Sequence, residues 1–322
     1  MQKYLHLIPN NLSIDFIGKF KYFMVFSIVT LIVIVGALWT HGLNYGIDFT
    51  GGTVMRVKFT QGQSAEKVRK IMEELGEADA SVVELGDTHQ EFMITSRVAK
   101  NEKEHSGAQT INAKFLAKVG AGEVVMQSVD TVGPKVGAEL KSAALRSLFY
   151  SVILITIYIW LRFDIRFAPG ATIAMVHDIV MATGFYMLTG REFTITAIAA
   201  LLTIAGYSVN DTIVVYDRVR EMLKQSGGNM PLATTINKAI NLTLSRTVLT
   251  SLVTFISVVP IIFLCKGEIQ SFAIAMCFGI FVGTYSTVYI ASPFTVYVEK
   301  FLEARSGKTR ANGRQLPKTA PV

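Results

Sequence analysis

A membrane bundle of six transmembrane helices, with one α+β domain inserted between the first two, is the fold class this sequence predicts. Three observations carry that expectation. Residues are 51% hydrophobic and only 17% charged over 322 positions, against about 25% charged in soluble domains, and mean hydropathy is positive. The charges are gathered into short blocks separated by long uncharged ones. One long stretch, 40–139, breaks this habit and shows the alternation and periodicity of a soluble unit.

The spans come first, because ~20 largely apolar residues are needed to cross ~30 Å of hydrocarbon. Tyr22–Trp39 has no charge, follows Lys19 and Lys21, and ends on an interfacial Trp. It is too long for a signal-peptide core and lacks a small-x-small cleavage site. It is therefore expected to be an uncleaved first helix after an N-terminal segment, 1–21. Five more spans are expected within 140–298, near Leu140–Leu161, Ala168–Leu188, Thr194–Val215, Ile240–Cys265 and Ile269–Val298. Gly184, Gly206, Gly279 and Gly283 are expected to allow close helix packing. Pro260 should kink the fifth span or mark where it nears the interface.

Orientation follows from the basic residues of the short loops. With the N-terminus inside, the inner segments carry Lys3, Lys19 and Lys21, then Arg162 and Arg166, then Arg218, Arg220, Lys224 and Lys238. The terminal segment, 299–322, adds Lys300, Arg305, Lys308, Arg310, Arg314 and Lys318, while the short outer loops carry Arg191 and Lys266. Both termini are thus expected to be cytoplasmic and 40–139 extracytoplasmic. The net charge of +7 is then a topology signal and an anionic-lipid contact, not a nucleic-acid surface.

Within the outer stretch, Thr53, Met55, Val57 and Phe59 fall on one face at period two, which predicts a strand. Ser64 is placed to cap a helix carrying Val68, Ile71, Met72 and Leu75, and Gly76 to end it. Ser81–Leu85 and Glu91–Ser96 read as strands joined through Gly86-Asp87, followed by a helix near Ala108–Val119 and a strand at Val124–Val129. The order β-α-β-β-α-β fits a ferredoxin-like split βαβ domain. Leu5, Ile8, Leu12 and Phe16 recur at helical spacing and are expected along the inner interface. The tail from Arg305 to Val322 is polar and basic and is expected to be disordered. Cys265 and Cys277 form no CxxC and have no His at ligand spacing, so packing is their expected role and no metal or cofactor is called for.

Charge in the middle of an apolar span is the informative signal, since Asp, Lys or Arg there costs ~2.5–3.5 kcal/mol. Arg146 lies near a span's outer end and can snorkel. His177-Asp178 falls ~13–15 Å into its helix at 1.5 Å per residue, close to the midplane. Either the two form a polar cluster that ties helices together, with Asp178 accepting from Ser, Thr or Tyr, or they move a proton. Asn210-Asp211 is six residues from Asp217, which puts Asp211 ~9 Å deep, and Arg246 lies at a matched depth on the next helix. Such a carboxylate beside an arginine is a static pair or a protonation switch. Arginine stays charged, while burial and the guanidinium act on the carboxylate in opposite senses. At the borders of the outer domain, Gly46-Ile-Asp48-Phe-Thr-Gly51-Gly52 and Val132-Gly133-Pro134-Lys-Val-Gly137 are either ordinary turns or hinges on which that domain could swing. Neither run has the Lys-Ser/Thr of a phosphate loop.

These segments, together with Gly206–Glu221 (GYSVNDTIVVYDRVRE), Ser245–Ser251 (SRTVLTS) and Gly283–Pro293 (GTYSTVYIASP), occur in one order over nearly the whole chain. In them the sequence resembles the SecD/SecF family of bacterial protein-export membrane subunits, on its SecF side. That resemblance implies half of a resistance-nodulation-division transporter in the cytoplasmic membrane. Its membrane part would use the proton gradient to move periplasmic domains that help draw preproteins outward. It also implies SecD, the SecYEG channel, YajC, preproteins and protons as partners, and it places the family's proton-linked Asp and Arg on Asp211 and Arg246. One Asp–Arg pair and one outer domain make half a pseudo-symmetric pump, so a partner is expected to supply the other half. Two other readings stay open: a proton-coupled small-molecule exporter of the same superfamily, and a structural scaffold. A membrane enzyme using His177-Asp178 as a base would need a nucleophile or metal ligands at the same depth; the sequence offers none, so no enzyme is expected.

Overall fold

The computed structural model describes residues 13–86, 88–96, 107–120, 122–227 and 229–306. Leu5, Ile8 and Leu12, Asp87 of the expected turn, and the tail beyond Ser306 lie outside the described residues.

Among the described residues there are six helical stretches long and apolar enough to span a membrane. The first, α1 (Phe16–His41), starts where Asp15 accepts from the Gly18 amide at 2.7 Å and stops at Gly42. After it come α2 (Ile47–Thr50) and the outer domain: β1 (Gly52–Phe59), α3 (Ala65–Glu74), β2 (Ser81–Leu85), β3 (Glu91–Ser96), α4 (Gly107–Val119) and β4 (Val124–Val132). The other spans are α5 (Pro134–Arg162), α6 (Ala168–Thr189), α7 (Ile195–Gln225) and α8 (Leu232–Leu264). The sixth is composite, with α9 (Glu268–Ser286), a π-helical turn (Thr287–Ala291) and α10 (Ser292–Ser306). α8 runs through Pro260 and ends one turn later.

The outer domain is one antiparallel sheet of order β2-β3-β1-β4 with two helices. Ser64 caps α3 by accepting from the Lys67 amide, as its position predicts. The apolar face of β1 is the core: Met55, Val57 and Phe59 pack with Val68 and Met72 of α3, Phe92 and Ile94 of β3, and Phe115 of α4. Alternation puts Arg56 and Lys58 on the other face, where Lys58 pairs with Glu91 across the β1–β3 ladder at 2.9 Å. β4 runs three residues past the expected Val129 because its ladder to β1 continues to Gly52↔Val132. The sheet is therefore rooted where β1 leaves α2 and where β4 enters α5.

In the bundle, α6, α7 and the α9–α10 helix are the inner elements, while α1, α5 and α8 are mostly exposed around them. Small residues make the inner contacts possible. A Cβ on Gly279 would lie 2.3 Å from the Ile204 side chain, one on Gly283 3.1 Å from Ser208, and one on Gly184 2.6 Å from Ile34. Gly206 departs from the expectation: it is exposed and a Cβ there would meet nothing within 4 Å. Gly206 lies on the exposed side of α7, while Ile204 and Ser208 of the same turn face the inner helices.

Candidate functional site

The polar residues of the spans converge on the inner helices. On α6, His177 and Asp178 are 3% and 0% exposed. His177 Nδ1 lies 2.8 Å from Asp178 Oδ1, which fixes the ring against its neighbour, and its Nε2 has no partner among the described residues. Asp178 Oδ2 accepts from Ser208 Oγ of α7 and from Ser286 Oγ of α9, the latter at 2.6 Å. One carboxylate thus joins three helices, as the helix-tying reading of Asp178 requires.

α7 presents Ser208, Thr212 and Tyr216 on one buried stripe at the four-residue spacing of a helix face. Thr212 Oγ1 is 2.8 Å from Thr287 Oγ1, at the start of the π-turn. Tyr216 lies next to Thr295 Oγ1 at 2.8 Å and donates to the Ala291 carbonyl at 3.0 Å. A π-turn leaves carbonyls out of the usual ladder, and side chains take them up: Ser292 Oγ donates to the Thr287 carbonyl at 2.8 Å, and Thr295 to that of Ala291. Gly170 of α6 makes room for this joint, since a Cβ there would stand 2.6–2.7 Å from Ala291 O, Thr295 Oγ1 and Tyr216 OH.

Asp211 is 9% exposed and faces α8. Its Oδ1 accepts from Thr247 Oγ1 at 2.6 Å, while Oδ2 is buried without a partner among the described residues. Of the two arrangements expected for Asp211 and Arg246, the static pair is not formed: among the described residues these two make no ion pair, and the guanidinium acts on the carboxylate only through space. Counting residues fixes depth but not direction. Each residue turns the side chain by about 100°, so with Thr247 aimed at Asp211, Arg246 points off to an exposed face of α8. Asn210 is likewise exposed, beside Asp211 on α7. A carboxyl with one oxygen held and the other open can accept a proton and return it without breaking the Thr247 bond.

The third group lies at the root of the outer domain. Gly46 donates to the Phe193 carbonyl at 3.0 Å, and Phe193 to that of Asn44 at 2.7 Å, which zips this segment to the α6–α7 connection. Gly46 is where Thr194 packs, since a Cβ would sit 2.6 Å from its Cγ2. Gly51, at φ 76°, approaches Pro134 so closely that a Cβ would lie 2.8 Å from the Pro134 Cα; one on Gly137 would lie 3.0 Å from the Gly51 amide nitrogen. Close contact between α2 and the start of α5 is therefore what these glycines provide in this structure. Gly52 opens β1, Gly133 precedes Pro134 in the first turn of α5, and Asp48 Oδ2 accepts from the Ile195 amide at 3.0 Å.

Ser208, Thr212, Tyr216, Thr247, Ser286 and Thr287 lie in the segments that carry the family resemblance, but sequence alone assigns them no role, and Thr295 falls outside those segments. The four-residue spacing of hydroxyls along α7 was the available signal.

A family model described as protein export membrane protein SecD/SecF, C-terminal, matches residues 111–301, and one described as the SecD/SecF GG motif matches residues 36–63. The chain is 40% identical over 306 residues to protein translocase subunit SecF of Calditerrivibrio nitroreducens, covering 95% of this chain and 100% of that one. To the subunit of the same name from Magnetococcus marinus it is 42% identical over 289 residues, 88% of this chain and 92% of that one. Among solved structures it is similar to SecDF, a translocon-associated membrane protein from Thermus thermophilus, with TM-score 0.79 and 34% identity over 91% of this chain. The match spans only 40% of that longer SecDF chain.

Proposed function

The chain belongs to the SecD/SecF family of protein-export membrane proteins, and from that premise we propose that it is a translocase subunit that uses the proton gradient to drive late steps of preprotein export. The family is one of translocase subunits, not of enzymes. Asp211 is the residue assigned to the proton, with Arg246 acting on it from a distance. The observation that carries this is the Asp211 carboxyl itself: buried among helices, held at one oxygen by Thr247, and open at the other. A permanently ionised carboxylate is costly to leave half-paired in a dry interior, whereas one that gains and loses a proton needs the open oxygen.

Asp211→Asn keeps the size and the acceptor for Thr247 but cannot ionise. It is expected to insert and assemble normally while preprotein translocation into inverted vesicles falls to the level that wild type shows with an uncoupler. Uncoupler-sensitive export at the wild-type rate, at equal protein levels, would remove Asp211 from the mechanism and leave a structural scaffold.

The proposed partners are SecD, the SecYEG channel and YajC. The proposed orientation has both termini cytoplasmic and the sheet domain outside, in the cytoplasmic membrane, supported by the Lys and Arg bias of the connecting segments. Alkaline phosphatase fused at Thr88 should then be active and a fusion at Lys308 inactive; the reverse pattern overturns the orientation.

A further inference from the structure

Asp48 makes a contact that neither hinge chemistry nor proton chemistry accounts for. It lies in α2, between the two roots of the sheet and the inner helices. The helix it meets, α7, has lost its own cap. Thr194 occupies the N-cap position, where a threonine ordinarily accepts from an amide of the first turn, yet its side chain makes no capping bond. Thr194 is buried instead against Gly46. Asp48 supplies what is missing: its Oδ2 accepts from the amide of Ile195, the first residue of α7. A carboxylate there also faces the positive end of the helix dipole.

The surroundings make this contact stiff. Phe49, the next residue, is 7% exposed and packs into the inner helices with Phe193, Ala197, Ile198 and Leu201. On its other side α2 is pressed against the start of α5 by Gly51 and Gly137. Gly52 and Val132 then lead directly into paired strands. α7 runs without interruption from Ile195 through Asp211, roughly 24 Å away at 1.5 Å per residue.

We propose that Asp48 is a positioning residue that caps α7 from the root of the outer domain, so that displacement of α7 is delivered to the sheet. What displaces α7 rests on the assignment of Asp211 above; the joint itself does not. A short rigid element held to the helix end by a cap and an aromatic plug transmits a shift, whereas a loop would absorb it.

The test compares Asp48→Ala, which removes the acceptor, with Asp48→Asn, which keeps a carbonyl oxygen in the same place. Both are made in the intact complex in native vesicles. Three quantities are read: exchange of the Ile195 amide, the spread of distances between spin labels at Ser81 and Leu188, and proton uptake against gradient-dependent export. Asp48→Ala is expected to speed Ile195 exchange roughly five- to thirty-fold, the effect of losing a helix cap. It should also broaden the label distances and abolish gradient-dependent export while proton uptake continues. Asp48→Asn should restore all three. Unchanged exchange in Asp48→Ala overturns the cap, and faster exchange with normal export overturns the coupling. Loss of proton uptake together with export, unrelieved by Asp48→Asn, would also overturn it, since that marks a general structural fault. Asp211→Asn in the same assay reports on the proton assignment separately, because exchange of the Ile195 amide reads the cap whether or not protons flow.

Discussion

Asp178 takes donors at both carboxylate oxygens, from His177 beside it and from serines on two other helices. Removing one serine leaves Oδ2 with the other. Removing both strands a fully buried acceptor, and a buried group left unsatisfied costs about 1–3 kcal/mol. Ser208→Ala/Ser286→Ala is therefore expected to lower the thermal midpoint of the purified protein by more than the two single changes combined. An additive or unchanged midpoint would mean that Asp178 does not hold these helices together. Asp178, His177 and Asp211 were legible in the sequence because charge in an apolar span has few explanations. The serines were not, because hydroxyls in such helices commonly satisfy themselves on a carbonyl one turn back. Thr203 does so with Ala199, and Thr254 with Thr250. Ser208 and Ser286 look no different in sequence, and only the fold turns them towards Asp178. Arg246 was legible in one respect only: its depth can be counted in the sequence, but its direction cannot.

The helices and strands were legible wherever one periodicity ran long enough. β1 shows its core face at every second residue, and each span shows an uncharged run. Span ends were less so: α7 continues to Gln225, where apolar patterning suggested Val215, because hydrogen bonding of a helix does not stop where the apolar run does. α2 shows in the sequence only as a glycine-rich border, since four residues cannot show a helical period. The π-turn was invisible for another reason. Its defining feature is a displaced carbonyl ladder, and the residues that repair it, Tyr216 and Thr295 among them, are distant in sequence or look like ordinary helix residues. The glycines at the borders were visible, but glycine is used both for freedom and for close approach. Only the position of Pro134 against Gly51 shows which use the structure makes of it.

At the scale of the molecule, the bundle is finished on one side and unfinished on another. Thr203, Gly206 and Asn210 of α7 are exposed, and so is Arg246 of α8, flanking the bond between Asp211 and Thr247. Arginine at such a depth in hydrocarbon costs ~2.5–3.5 kcal/mol even on lenient scales, and an amide or a bare glycine backbone gains nothing from lipid. A protein face that offers close approach and hydrogen bonds would relieve both. The similar SecDF chain is long enough for this chain to account for only 40% of it. A SecD-like partner with its own six helices is therefore the expected cover for this face. Cysteines introduced at Gly206 or Asn210 in a chain otherwise free of cysteine should form disulfides with cysteines scanned along the partner's inner helices in native membranes. A cysteine at Phe281, exposed on α9, should cross-link far less. Arg246→Leu should weaken recovery of the partner after gentle extraction, because the charge it removes would have been met across the interface. Recovery of isolated monomers that support gradient-dependent export would exclude the half-transporter arrangement. Equal cross-linking at Gly206 and Phe281 would show that the polar face is not where the partner binds.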